Sequence, residues 1–224
     1  MDSHRTFNIK YAMSLGNTCH VAYLLKRLRW KPASYPFDWI RSNPEMVRHC
    51  IRDDFKQFLD VTQYINHDPA NVKAGVGHAV YGERIFVHHN PFVFKSHYDY
   101  FSRCVERFKC LINKNNEGDG DKSRLLFIVG FFNNPEPVCH ADIIELNQIL
   151  CARGIRNHIV LVINHTTTPP AGPLSHRFEE HDDLHVLELR TSSESNGVEF
   201  NDNADNLYLD AIVRNKYLPA NLKG

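Results

Sequence analysis

The segment RLLFIVGFFNNPEPVCHADIIELNQILCARGIRNHIVLVIN, residues 124–164, decides the fold. Its two ends, Arg124–Phe132 and His158–Asn164, are near-continuous apolar runs of strand length. Such runs fit strands covered on both faces of a sheet. Between them, the stretch from His140 carries helical apolar spacing and closes on Gly154, a residue suited to the left-handed turn after a helix. Strand, helix, strand predicts a right-handed crossover between two parallel strands. The predicted class is α/β, a three-layer sandwich around a central, at least partly parallel sheet.

Working outward, LHVLELR (residues 184–190) reads as a further strand and NADNLYLDAIVRNKY (203–217) as a last helix. Upstream, FNIKYAMSL (7–15) is a strand, and CHVAYLLKRL (19–28) a short helix stopped by Pro32. SNPEMVRHCIRDDF (42–55) has a Ser/Asn start and Pro44 at the first helical position. ERIFVHHN (83–90) reads as a strand running into a loop, and SHYDYFSRCVERFKCLI (96–112) as an amphipathic helix. A polar, Gly-rich stretch at 113–123 breaks the periodicity. The expectation is one domain, 1–224, with an N-terminal half of about 1–113 and a C-terminal α/β half of 124–224.

Lys plus Arg and Asp plus Glu balance at 26 each, which disfavours nucleic acid or an anionic membrane as the main partner. Six Cys without a C-x-x-C pair read as free thiols of a reducing compartment. The first ten residues carry no apolar signal core, and no apolar run reaches membrane-spanning length, so the expected location is cytoplasmic. Neither glycine-rich nucleotide loop appears, and no cofactor is indicated. His176, His181 and His185, with Cys139 and His140 as distant additions, are candidate metal ligands by residue type, but the segment reads better as a solvated acidic loop leading into the strand at 184, with no metal.

The chemistry centres on MSLGNTCHVAYLL, residues 13–25: strand, glycine turn, Cys19, helix. A thiol there meets the positive end of a helix dipole and unpaired N–H groups, which favour thiolate and could hold an oxyanion. Equally, Cys is among the most buried residue types and Cys19 could be structural. A thiol nucleophile needs a base, usually His. His20 adjoins Cys19 but points about 100° away on the helix. His88 and His89 close a strand, where a backbone of period two presents one imidazole on each face. Asp38, between Phe37 and Trp39, is a carboxylate in an apolar context that either orients a His or caps a turn.

These residues resemble the papain-like cysteine peptidase family first catalogued as a domain of unknown function. The likeness lies in Ser14-Leu15-Gly16 followed by Cys19, in Ser34, Pro36, Phe37, Asp38 and Trp39, in DDFKQFLD (53–60), in IFVHHN, and in Arg107-Phe108. It covers roughly residues 11–165. The resemblance implies a thiol peptidase or hydrolase acting on a peptide or other acyl substrate. Cys19 would be the nucleophile, His88 the base in preference to His89, and Asp38, Asn133 or Asn134 the orienting group. It also implies a catalytic helix against a largely antiparallel sheet, where the residue pattern here predicts a parallel crossover. Two other functions fit the same residues: a glycosyltransferase-like group-transfer enzyme holding a nucleotide-sugar or other phosphate through Arg103 and Arg107, and a non-catalytic interaction module.

Overall fold

Alternate residues of the apolar strands enter two separate cores. Leu125, Phe127 and Val129 with Val160 and Val162 face one side; Leu126 and Ile128 with Ile159, Leu161 and Ile163 face the other. That is the period of two expected of a strand covered on both faces. The computed structural model describes residues 6–68, 75–116, 123–134, 140–167 and 173–219.

In chain order the elements are β1 (Phe7–Ser14), α1 (His20–Arg27), α2 (Pro44–Arg52), β2 (Tyr64–Ile65), β3 (Val76–His78), β4 (Gly82–Phe86), α3 (Lys95–Asn116), β5 (Arg124–Phe131), α4 (His140–Ala152), β6 (His158–Thr167), β7 (Ser175–His181), β8 (Leu184–Thr191), α5 (Asn203–Lys216) and β9 (Tyr217–Pro219). The main sheet has the order β7-β8-β6-β5-β1-β9. Only β7 is antiparallel to its neighbour. A small antiparallel sheet, β2-β3-β4, packs Tyr64, Val76, Ile85 and Phe86 into the first core.

Helices cover both faces of the main sheet. α2, α3 and α4 bury Met46, Val47, Phe101, Val105, Phe108 and Leu146 on one side. α1 and α5 bury Val21, Leu24, Leu25, Leu209 and Ile212 on the other. The predicted α/β sandwich with a parallel crossover is therefore what the chain forms, and the antiparallel catalytic sheet implied by the family likeness is not. β1 of the N-terminal half lies hydrogen-bonded between β5 and β9, so one sheet joins both halves of the chain. Among the described residues, no helix is long and apolar enough to cross a membrane.

Several local readings shift. α1 ends at Arg27, well before Pro32, because Arg29 takes φ 61° and the Arg29 and Trp30 N–H groups bond back to Lys26 and Leu25 carbonyls at 3.1 and 2.9 Å. α3 runs on to Asn116, past the start of the predicted polar break, whose residues 117–122 lie outside the described ones. β4 stops at Phe86, so both His88 and His89 follow the strand and do not share its two faces as expected. The HRFEEH segment, expected as a loop, is the edge strand β7. Its charged side chains suit an edge, where they discourage pairing with another chain.

Buried histidines give the fold an acid limit. Burial lowers His165 and His185 from 6.5 to about 4 each, and His20 to about 2. His165 and His185 are fixed by Thr191 Oγ1 and Tyr217 Oη, both at 2.7 Å. Such groups bind fewer protons folded than unfolded, so their share of stability is complete above the unfolded value of about 6.5 and is lost as pH falls toward 4. Thermal melts should show the midpoint falling from pH 7 to pH 5, with a shallower fall in His185→Gln.

Candidate active site

The feature that places the site is the direction in which the chain leaves adjacent strands. β1 and β5 are parallel neighbours, yet β1 leads to α1 on one face while β5 leads to α4 on the other. The carboxyl ends of such a pair leave a crevice, where α/β sheets bind ligands. Leu15–Cys19 leaves β1 at this point, and Phe132–Asn134 leaves β5.

The first loop is shaped by a glycine. Gly16 has φ +91° and Asn17 has φ 81°. A Cβ on Gly16 would stand 1.8 Å from Ser42 Oγ. That hydroxyl accepts from the Asn17 N–H at 3.1 Å and donates to the Leu15 carbonyl at 3.3 Å. Ser42 thus braces the turn from the α2 side, and the turn delivers Cys19 to the N-cap of α1. Gly16→Ala should cost about 1–3 kcal/mol, from the left-handed backbone and the displaced hydroxyl. Urea unfolding of that variant checks it.

Cys19 is 4% exposed. Burial pushes its thiol up to about 11; the nearby Arg41 charge pulls it down, and Asp38 pushes it up again. Loss of water around the sulfur thus works against the thiolate that the helix terminus favours. His20 turns into the second core. Its ring stacks on Phe132 at 3.8 Å, and Nδ1 meets Ser195 Oγ at 2.7 Å. It is therefore directed away from the loop that presents Cys19.

The SYPFDWI segment forms a buried knot. Asp38 Oδ2 accepts from the Tyr35 N–H at 2.7 Å and pairs with Lys31 Nζ at 2.5 Å. Lys31 also donates to Ala33 O and Ser34 Oγ, each at 2.9 Å. Burial raises the Asp38 carboxyl, opposed by Lys31 and the Tyr35 N–H. Trp39, next in sequence, lies under the Lys31 ammonium at 5.7 Å and edge-on to His88 at 6.5 Å between ring centroids. His88 is exposed. His89 instead stacks on Tyr100 at 4.6 Å beside Phe101, and burial lowers it to about 4.

The remaining candidates lie elsewhere. Asn133 is held by the 195 loop: its side chain donates to Ser195 O at 2.7 Å and accepts from the Ser195 N–H at 2.8 Å. Its contacts are with that loop and not with His88. Arg107 donates to the Ser34 carbonyl at 3.0 Å and so straps α3 to the knot, while Arg103 is exposed one turn earlier. His176 and His185 bond to Tyr208 and Tyr217 hydroxyls. No cluster that could hold a metal occurs among the described residues; Cys139 lies outside them and the side chain of His140 is not described.

Sequence reasoning missed three residues. Arg41 supplies positive charge acting on Cys19, Ser42 braces the turn, and Trp39 links the knot to His88. Trp39 was visible within the motif. Arg41 and Ser42 carry no signal in the chain, because their roles depend on the Arg41 N–H bonding to the Ile85 carbonyl at 2.8 Å, which brings α2's approach against β4.

The family described as "Putative papain-like cysteine peptidase (DUF1796)" matches residues 10–167. The chain is also similar to the uncharacterised protein R408 of Acanthamoeba polyphaga mimivirus, 42% identical over 52 residues. That match spans 23% of this chain and 23% of the viral protein. No solved structure matches the chain.

Proposed function

The chain belongs to the DUF1796 family, and on that premise we propose that it is a cysteine hydrolase of peptidase type, with Cys19 as nucleophile and His88 as base. The observation that carries this reading is the position of Cys19. It caps α1 at the carboxyl end of β1, in the crevice where neighbouring strands send their connections to opposite faces.

The protonated thiol sets the mechanism. Sγ attacks the substrate carbonyl carbon while its proton passes to His88, so base catalysis and C–S bond formation share one step. The carbonyl electron pair moves to oxygen, which is held by backbone N–H groups at the start of α1. Collapse expels the amine, protonated by His88, and leaves a thioester on Cys19. Water, activated by the same imidazole, then releases the acid. Asp38 serves as a positioning residue: it fixes Lys31 and the turn that carries Trp39, and Trp39 borders His88.

The group-transfer reading has less support, because Arg107, one of its two phosphate candidates, ties one N–H to the Ser34 carbonyl. The test is turnover of a fluorogenic peptide library. Hydrolysis lost in Cys19→Ala but kept in Cys110→Ser and Cys151→Ser supports the proposal; hydrolysis surviving Cys19→Ala rejects it. Proton transfer within the attack step also predicts a slower reaction in heavy water, and equal rates in the two solvents would point to a preformed thiolate instead.

A further inference from the structure

Beside the Cys19 turn lies a cleft of about 320 Å³, lined by Arg41, Ser42, Asn43 and the run Tyr81–Ile85. Its Ser42 wall is the same side chain that braces Gly16 and Asn17, so the cleft begins two residues from the proposed nucleophile. Its other wall is β4.

β4 is an edge strand. It pairs with β3 on one side. On its other side, among the described residues, the backbone bond present is the one from the Arg41 N–H to the Ile85 carbonyl. That contact closes one end of the edge and leaves Gly82–Arg84 facing the cleft without a partner strand. An unpaired edge beside a groove is the usual dock for an extended peptide, which adds as a further strand and sends alternate side chains into pockets.

The charge of the cleft selects among peptides. Arg41 and Arg84 both line it, against the single carboxylate of Glu83. Neither guanidinium makes an ion pair among the described residues, although eight other Lys and Arg side chains do. A guanidinium left unpaired at the wall of a groove is suited to take a carboxylate through two parallel hydrogen bonds.

We propose that this cleft is the substrate subsite, taking an extended peptide along the open edge of β4 and its acidic side chain on Arg41 and Arg84. The assignment of the peptide as substrate rests on the Cys19 hydrolase reading; the binding of the peptide does not. A peptide so held runs toward the Ser42–Asn17 contact and hence toward Cys19.

Two arms of one experiment separate these claims. In Cys19→Ala protein, isothermal titration compares acetylated hexapeptides that differ only by Glu or Gln at one position. The Glu peptide should bind about tenfold more tightly. The preference should vanish in Arg84→Gln and return only in part in Arg84→Lys, which restores the charge but not the paired hydrogen bonds. Equal or tighter binding of the Gln peptide, or a preference untouched by Arg84→Gln, overturns the proposal. In wild-type protein, the same two sequences carrying a vinyl sulfone report the rate of Cys19 modification by mass spectrometry. Faster modification by the Glu probe places the bound peptide on the path to Cys19. Glu-selective binding without modification of Cys19 would retain the cleft as an acidic-peptide site, reject its assignment as a substrate subsite, and count against the hydrolase.

Discussion

Asp38→Ala is expected to lower the unfolding free energy by about 3–5 kcal/mol, the usual cost of stripping one partner from a buried ion pair. Asp38 and Lys31 side chains are 1% and 7% exposed, so neither charge can turn to water without opening the knot. Removing the carboxylate leaves an ammonium with only Ala33 O and Ser34 Oγ, and leaves the Tyr35 N–H without its acceptor. Asp38→Asn keeps an acceptor for Tyr35 and should lose less. The double variant Lys31→Met, Asp38→Leu should recover much of the stability, since apolar replacements of a buried pair are often neutral. Urea midpoints at constant slope would measure all three. A loss below about 1 kcal/mol for Asp38→Ala would mean that the pair is solvated in solution.

The second large effect is on chemistry. His88→Ala should slow acylation of Cys19 by roughly 10²–10⁴, the range for removal of a general base. The size follows from the state of the thiol. Held at about 11 by burial, Cys19 presents little thiolate at neutral pH, so attack depends on a base within reach. His89→Ala should leave the acylation rate far less changed, because that ring is stacked on Tyr100. A generic alkylating reagent should accordingly modify the exposed Cys110 and Cys151 before Cys19. Stopped-flow acylation with an activated peptide ester separates the two histidines. A rate unchanged in His88→Ala and lost in His89→Ala would reverse their roles.

What the chain made legible, and what it hid, divides along physical lines. The apolar runs at 124–132 and 158–164 announced a sheet covered on both faces, because burial on two sides removes alternation. Pro44 and Gly154 marked helix ends through backbone restrictions that act locally. Cys19 at a helix start was legible for the same reason. Its protonation state was not, because it depends on burial and on the Arg41 and Asp38 charges, which only the tertiary fold brings to it. Strand periodicity does not separate His88 from His89, which only the family likeness ranked; in the fold, packing against Trp39 or Tyr100 distinguishes them. The cleft lies between Arg41 and β4, about forty residues on, and a tertiary hydrogen bond creates it. The family likeness holds over residues 10–167, but the antiparallel sheet it implied is not formed, since motif letters record loop and turn chemistry more than strand direction.

The most direct test is to trap the acyl-enzyme. The protein is mixed with an activated ester of a Glu-containing peptide, quenched in acid, digested and mapped by mass spectrometry. The mechanism predicts one acyl group per chain, joined as a thioester to Cys19 and absent from Cys19→Ala. Acyl groups confined to Cys110 and Cys151, with Cys19 unmodified under conditions of turnover, would contradict it.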